Sequence, residues 1–231
     1  MSGGTTEFSD FPSLGAGAPR ATTPFVVLLG TDYAGKSTAL TEITELAPSW
    51  HVVSLDDEFL DSRHSLIGRL RRDLVSDVLP DLRHGYSLDF MVTLLQTATV
   101  HLRDSIERSP AGAPVLVDSY YYKILAKCRL AGADSHPMFD WWRTFPQPRQ
   151  VLFLEVSPET AWKRCGEGAA ANALEFYGQE PDRPAFEKFQ SDLRQAMWEE
   201  VQHLPVTVVE EQDHVSRTVR ILGEVMGREL G

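Results

Sequence analysis

The chain is short of cysteine, of long apolar runs and of positive charge, and each shortage removes a class of function. Only two cysteines occur, Cys128 and Cys165, and they have no CxxC spacing. Zinc sites and disulfide frameworks need more thiols or closer ones, so both are expected to be ordinary reduced thiols of a cytoplasmic protein. No apolar stretch approaches the roughly 20 residues that cross a bilayer, which argues against membrane insertion. Lysine and arginine number 22 against 33 acidic residues, giving a formal net charge of −11. Phosphate backbones require a basic face, so no nucleic-acid partner is expected. A local basic pocket for a small phosphorylated ligand remains compatible with that charge. The seven histidines follow neither HExxH nor any other ligand spacing, and none is assigned to metal or catalysis.

Residues 1–23 are rich in Gly, Ser, Thr, Ala and Pro and lack both the basic start and the apolar core of a signal peptide. They read as a flexible leader to a single domain over residues 24–231. The most informative stretch follows at once. An apolar run, Phe25 to Leu29, ends in Gly30-Thr31-Asp32-Tyr33-Ala34-Gly35-Lys36-Ser37-Thr38, and a helical pattern continues to Leu46. A buried strand, a Gly-x-x-x-x-Gly-Lys-Ser turn and a helix N-terminus in that order form a phosphate cradle. The turn's backbone N–H groups point at phosphate oxygens, and the helix terminus adds positive potential. Lys36 is expected to reach the β- and γ-phosphates and Ser37 to place its hydroxyl on Mg²⁺. The chain is therefore expected to bind a nucleoside triphosphate through residues Thr31 to Thr38.

Further apolar runs at 51–55, 114–118, 150–156 and 206–209 resemble buried parallel strands. Helical patterns lie between them, at 65–79, 88–107, 120–130, 158–165, 184–203 and 214–226. The alternation predicts an α/β fold: a parallel sheet of about five strands with helices on both faces. Residues 166–184 look like the most mobile segment. Ligands in such folds bind beyond the carboxyl ends of the strands, so residues just after each strand carry the most weight.

Two sets of carboxylates stand at such ends. Asp118 closes Pro114-Val115-Leu116-Val117, where a Walker-B-type carboxylate would hold Mg²⁺ directly or through water; it could also cap the helix beginning near Tyr120. Asp56, Asp57 and Glu58 follow the second strand. Asp56 or Asp57 could accept or orient the proton of an attacking hydroxyl, and a solvated acidic turn is the other reading. Bare carboxylates repel an anionic acceptor, so the cluster hints at a neutral hydroxyl. Tyr120, Tyr121 and Tyr122, with Phe90 and Met91, could line an acceptor pocket. Trp141, Trp142 and the Phe145-Pro146 corner read as core or dimer packing.

Taken together, these motifs resemble the thymidylate-kinase-like branch of the P-loop nucleoside and nucleotide kinases. The phosphate loop is similar to the family's G-x-D-x-A-G-K-[ST]-T. Val117-Asp118-Ser119-Tyr120 resembles its Asp-Arg-Tyr, and Val151 to Ala161 its L-x-L-x-x-x-P-E-x-A, which leads into a lid. The resemblance implies a three-layer P-loop kinase fold with a lid over about 164–184, Mg²⁺-ATP as phosphoryl donor and a homodimer as one plausible assembly. It places Asp32 near the acceptor's hydroxyl and Arg164 as the lid cation, with Lys163 and Arg183 as alternatives. Departures bear on the acceptor. Ser119 replaces the motif arginine, Asp56-Asp57-Glu58 replaces Arg-Glu-Pro, and Leu94 to Thr99 lacks the Asp-Arg of the central helix. Those arginines grip an acceptor monophosphate, a task that suits their forked guanidinium. Lys123, Lys127, Arg69, Arg71 and Arg72 are possible substitutes.

The expectation is thus an ATP-dependent kinase acting on a hydroxyl of a small acceptor: a nucleoside, sugar or specialised metabolite. Lys36, Asp56, Asp57 and Arg164 are its expected catalytic groups, and Asp32, Asp56, Glu58, Tyr121 and Lys123 its acceptor contacts. A monophosphate kinase and a catalytically silent nucleotide-binding protein are the alternatives.

Overall fold

The first strand, β1 (Phe25–Gly30), is buried at all six positions, which a strand achieves only when both faces of its sheet are covered. Its side chains alternate accordingly. Phe25, Val27 and Leu29 enter one apolar cluster, while Val26 and Leu28 enter another on the opposite face. The computed structural model describes residues 23–212 and 214–230, so the expected leader lies outside the described residues except for Thr23.

Around β1 run β2 (His51–Val53), β3 (Val115–Asp118), β4 (Gln150–Leu154) and β5 (Val206–Val209), every pair parallel, in the order β2-β3-β1-β4-β5. Each parallel pairing requires a crossover, and helices supply it. Helix α1 (Lys36–Leu46) and the last helix, α8 (Val215–Leu230), cover one face. The other face carries α3 (Leu88–Glu107), α4 (Tyr120–Leu130), α5 (Pro137–Arg143) and α7 (Arg183–Val201). Helix α2 (Ser65–Asp73) stands beside α3, and the short α6 (Pro158–Arg164) leads into irregular turns over residues 165–182. The expected three-layer α/β architecture is present.

Local departures have local causes. The strand expected over 51–55 stops at Val53, because Ser54 turns the chain: its hydroxyl accepts from the Asp56 N–H at 3.1 Å. The helix expected over 65–79 is α-helical only to Asp73 and then widens into a π-helical turn, Leu74–Val78. Helix α5 was not anticipated. Proline follows His136 at its first turn, and the His136 Nδ1 accepts from the Met138 N–H at 3.2 Å to cap it. Its Trp142 is fully buried against Phe139, while Trp141 stays 42 % exposed. A third small cluster, Ala161, Cys165, Phe176 and Phe186, joins the turns after α6 to α7 and packs against Tyr33 and Trp162. Both cysteines are free and buried, and burial pushes the Cys128 thiol up to about 12. Among the described residues, no helix is long and apolar enough to cross a membrane.

Candidate active site

Between β1 and α1 the chain makes the tight curl that Gly30 and Gly35 allow. A side chain at Gly30 would begin 2.8 Å from the Leu154 carbonyl oxygen, and Gly35 has φ +90, a conformation costly for any other residue. Tyr33 also has positive φ, at 59, so the loop is held in a strained shape at the head of α1. The Lys36 ammonium folds back to donate to the carbonyls of Gly30 at 3.0 Å and Thr31 at 2.9 Å. Burial, with the nearby Lys123 ammonium adding to it, brings the Lys36 pKa down to about 7 against the pull of Asp118 and Asp32. Ser37 is exposed beside it.

Parallel register brings the second-strand and third-strand ends to the same level. Val53 pairs with Val117, so Ser54 and Asp118 emerge together. The Ser54 hydroxyl donates to Asp118 Oδ2 at 2.9 Å and the Ser119 hydroxyl to Oδ1 at 2.9 Å, which fixes the carboxylate plane. Ser119 and Tyr120 then both take positive φ, 58 and 48, a strained corner immediately after Asp118. The reading of Asp118 as a helix cap finds no counterpart, because the capping position of α4 is Ser119 and its side chain makes no capping bond.

A buried ionic cluster links the loop before α1 to α4, α7 and the turns after α6. Asp32, 7 % exposed, lies 2.7 Å from Lys123 Nζ and 2.9 Å from Lys127 Nζ. Burial alone would raise its pKa; the two ammoniums outweigh that and hold the carboxyl well below the usual range. Lys123 is raised in turn, its burial outweighed by Asp32. Gln190 of α7 clasps the same residue: its Oε1 accepts from the Asp32 N–H at 3.0 Å, and its amide donates to Asp32 Oδ2 at 3.1 Å and to the Glu175 carbonyl at 3.1 Å. Tyr33 reaches those turns, donating to Glu175 Oε2 at 3.0 Å and standing 2.9 Å from the Ala170 carbonyl. Arg164, at the end of α6, donates to the Tyr33 carbonyl at 3.1 Å and pairs with Glu211 at 3.1 Å.

These groups open onto one cleft of about 660 Å³. Residues Asp32 to Thr38, Asp118, Lys123, Arg164 and Asp56 all line it. Thr31 is buried at the base of the loop, where its carbonyl accepts from Lys36. Other expected site residues are placed elsewhere. Asp57 turns to Arg72 at 2.6 Å, and Glu58 accepts from the Thr41 hydroxyl at 3.1 Å. Tyr121 is 2 % exposed in the core, its hydroxyl accepting from Gln147 at 3.3 Å. None of these three lines the cleft. Sequence reasoning missed Ser54, Glu175 and Gln190, whose partners are 64, 142 and 158 positions away in the chain. No local pattern marks them, and Ser54 falls inside the strand predicted over 51–55.

The oxygen donors suit Mg²⁺. Ser37 offers a hydroxyl and Asp118 an oriented carboxylate on the same cleft, hard ligands of the kind Mg²⁺ takes alongside substrate phosphates. No group of three or more His, Cys, Asp or Glu residues among the described residues forms a protein-only metal cage. A smaller recess of about 180 Å³ lies across the loop, bounded by Gly35, Thr38, Arg164, Glu211 and Val215.

In fold the chain resembles solved nucleoside and nucleotide kinases. A deoxyadenosine kinase from M. mycoides, solved with dCMP and a flexible dCDP, matches with a TM-score of 0.58 at 14 % identity, covering 88 % of this chain and 98 % of its own. The same enzyme with bound dATP gives 0.57 at 14 % identity over 87 % and 98 %. Thymidylate kinase from Candida albicans gives 0.60 at 18 % identity over 90 % of this chain and 92 % of its own. Neither protein-family models nor curated protein sequences match this chain.

Proposed function

We propose that this protein is a Mg²⁺- and ATP-dependent kinase that phosphorylates a neutral hydroxyl on a small acceptor. One observation carries the proposal: the phosphate loop, Asp118, Arg164 and Asp56 converge on a single cleft. Three of them suit the donor. Lys36 can leave its two carbonyl partners for the β- and γ-phosphates. Ser37 and Asp118 would hold Mg²⁺, which would supply positive charge to neutralise the donor phosphates. Arg164 sits between the loop and the smaller recess, which is suitably placed for the donor's base.

Asp56 serves the acceptor. The hydroxyl oxygen attacks the γ-phosphorus and a P–O bond forms; the bond from that phosphorus to the β–γ bridging oxygen breaks, and ADP leaves. The hydroxyl proton passes to the Asp56 carboxylate, while Lys36 and Arg164 balance the charge on the transferring group. Closure of the lid over the cleft would exclude water from this step.

Charge balance supports a neutral acceptor. Lys123 and Lys127 are already neutralised by Asp32 and Glu175. A monophosphate acceptor is the second reading, favoured by Arg71: it lines the cleft and has no carboxylate partner among the described residues. Purified protein with Mg²⁺-ATP, offered nucleoside monophosphates, nucleosides and neutral hydroxyl compounds, separates the two by the mass of the product. Neutral compounds alone should be phosphorylated. Turnover of a monophosphate that collapses in Arg71→Gln would establish the second reading instead.

A further inference from the structure

The wall of the cleft facing the phosphate loop is built from aliphatic side chains. Leu55 follows β2, Leu70 lies in α2, Val75 sits in the π-helical turn, Leu94 and Leu95 project from α3, and Ile124 from α4. None of the six is fully buried, and Val75 is 38 % exposed. Core leucines bury themselves; these stop short and share a concave surface with catalytic groups, which is how a preformed apolar site is arranged.

Arg71 and Gln96, next in sequence to wall residues, each already hold one partner. Arg71 donates to the Leu55 carbonyl at 3.1 Å. Gln96, beside Leu94 and Leu95, accepts from the Trp142 indole N–H on the far side of α3. A nucleobase carries donors and acceptors around its edge, and a wall that leaves them unpaired discriminates against it. The π-helical turn contributes directly. Its extra residue per turn brings Leu74 and Val75 round to the cleft while Val78 stays buried, and such turns recur at functional sites.

Resting on the kinase reading above, we propose that the acceptor is an amphipathic alcohol: a hydroxyl carried on an apolar, largely aliphatic body, and not a nucleoside. The body lies against Leu70, Val75, Leu94 and Leu95, and the hydroxyl reaches Asp56 at the junction with the phosphate loop. The alcohol oxygen takes the γ-phosphoryl group from ATP, its proton goes to Asp56, and ADP and the phosphate monoester are released.

The test compares a series of straight-chain and prenyl primary alcohols with thymidine and deoxyadenosine as acceptors for Mg²⁺-ATP. Products are read by mass and kcat/KM is followed along the series, with ATP binding measured separately by calorimetry. Efficiency should rise with apolar length until the cleft is filled and should exceed that of both nucleosides. Val75→Asn, at a part-exposed position that should tolerate polarity, should raise the KM for the best alcohol about tenfold and leave ATP affinity unchanged. Phosphorylation of nucleosides alone, or of nothing by protein that binds ATP, overturns the amphipathic acceptor. Failure to bind ATP at all overturns the kinase reading and this inference with it.

Discussion

The two ends of the cleft are built on opposite principles. At the phosphate end, charges and backbone dipoles sit within a few consecutive residues, Gly30 to Thr38, and strained φ values at Tyr33, Ser119 and Tyr120 hold them in place. At the end proposed for the acceptor, α2, its π-helical turn, α3 and α4 each contribute one or two aliphatic side chains to the wall. Phosphate recognition needs fixed donors, which a short contiguous loop supplies; recognition of an apolar body needs shape, which only packed helices supply. Changes at one end should therefore leave the other intact.

The largest expected effect lies at the phosphate end. Lys36→Ala removes the buried ammonium that would meet the transferring phosphates. It should lower kcat by about 10³-fold, since one lost transition-state donor costs on that order. Binding of an acceptor alone, followed by thermal shift, should change little. Phosphoryl transfer at the wild-type rate would leave the phosphate loop without a role.

Asp32 joins the ends, and its substitution is predicted to act on stability. Asp32→Asn keeps the shape but strands Lys123, 15 % exposed at the side chain, beside a neutral amide and leaves Lys127 only Glu175 at 3.7 Å. Breaking a buried ion pair from one side costs roughly 3–5 kcal/mol, and urea unfolding should show a loss of about that size. Adding Lys123→Met and Lys127→Met to Asp32→Asn should restore part of it. If that triple variant is no more stable than the single one, charge imbalance is not the cause.

A smaller effect belongs to pH. Burial and Lys123 hold Lys36 at about 7 in the free protein, and a bound triphosphate favours its ammonium form. Below pH 7 the lysine is already charged, so ATP affinity should be flat there. Above pH 7 binding must take up a proton, and affinity should fall by about tenfold per pH unit until the bound-state pKa is passed. Calorimetry in two buffers of different ionisation enthalpy would register the proton uptake at pH 8. Equal heats in both, with constant affinity from pH 6 to 9, would contradict the depressed pKa.

The contrast between the ends also explains what the sequence revealed. The five strands, the phosphate loop and Asp118 follow from short local patterns and Arg164 from the family resemblance, and the structure puts the loop, Asp118 and Arg164 on one cleft. Asp56 and Asp57 could not be told apart by neighbours alone: the turn made by Ser54 leaves Asp56 on the cleft and sends Asp57 to Arg72. Lys123 and Lys127 read as two basic residues one helical turn apart, which sequence cannot separate from a solvated face. Their counter-charge, Asp32, lies about 90 residues earlier in the chain, and only the folded α4 brings them together. The aliphatic wall was hidden for the same reason, because leucines on α2 and α3 carry the same periodicity whether they face a core or a ligand.

Tyr120 stands where the two ends meet, and it gives the smallest prediction. Its ring is fully buried against Phe25 at 5.5 Å and Tyr122 at 5.6 Å, and the residue also borders the cleft. Its hydroxyl is, among the described residues, the one buried side-chain polar atom without a hydrogen-bond partner. A buried hydroxyl left unsatisfied costs stability, whereas the apolar ring of phenylalanine keeps the packing and has nothing to satisfy. Tyr120→Phe should therefore leave stability unchanged or raise it by up to about 1 kcal/mol in urea unfolding. Donor-side kinetics should be unaltered, because Asp118 is oriented by Ser54 and Ser119 and not by this ring. A loss of more than about 1 kcal/mol would mean that the hydroxyl has a partner, such as an ordered water, tying the aromatic core to the cleft. The two ends would then share a polar link through Tyr120, and their independence would fail at that residue first.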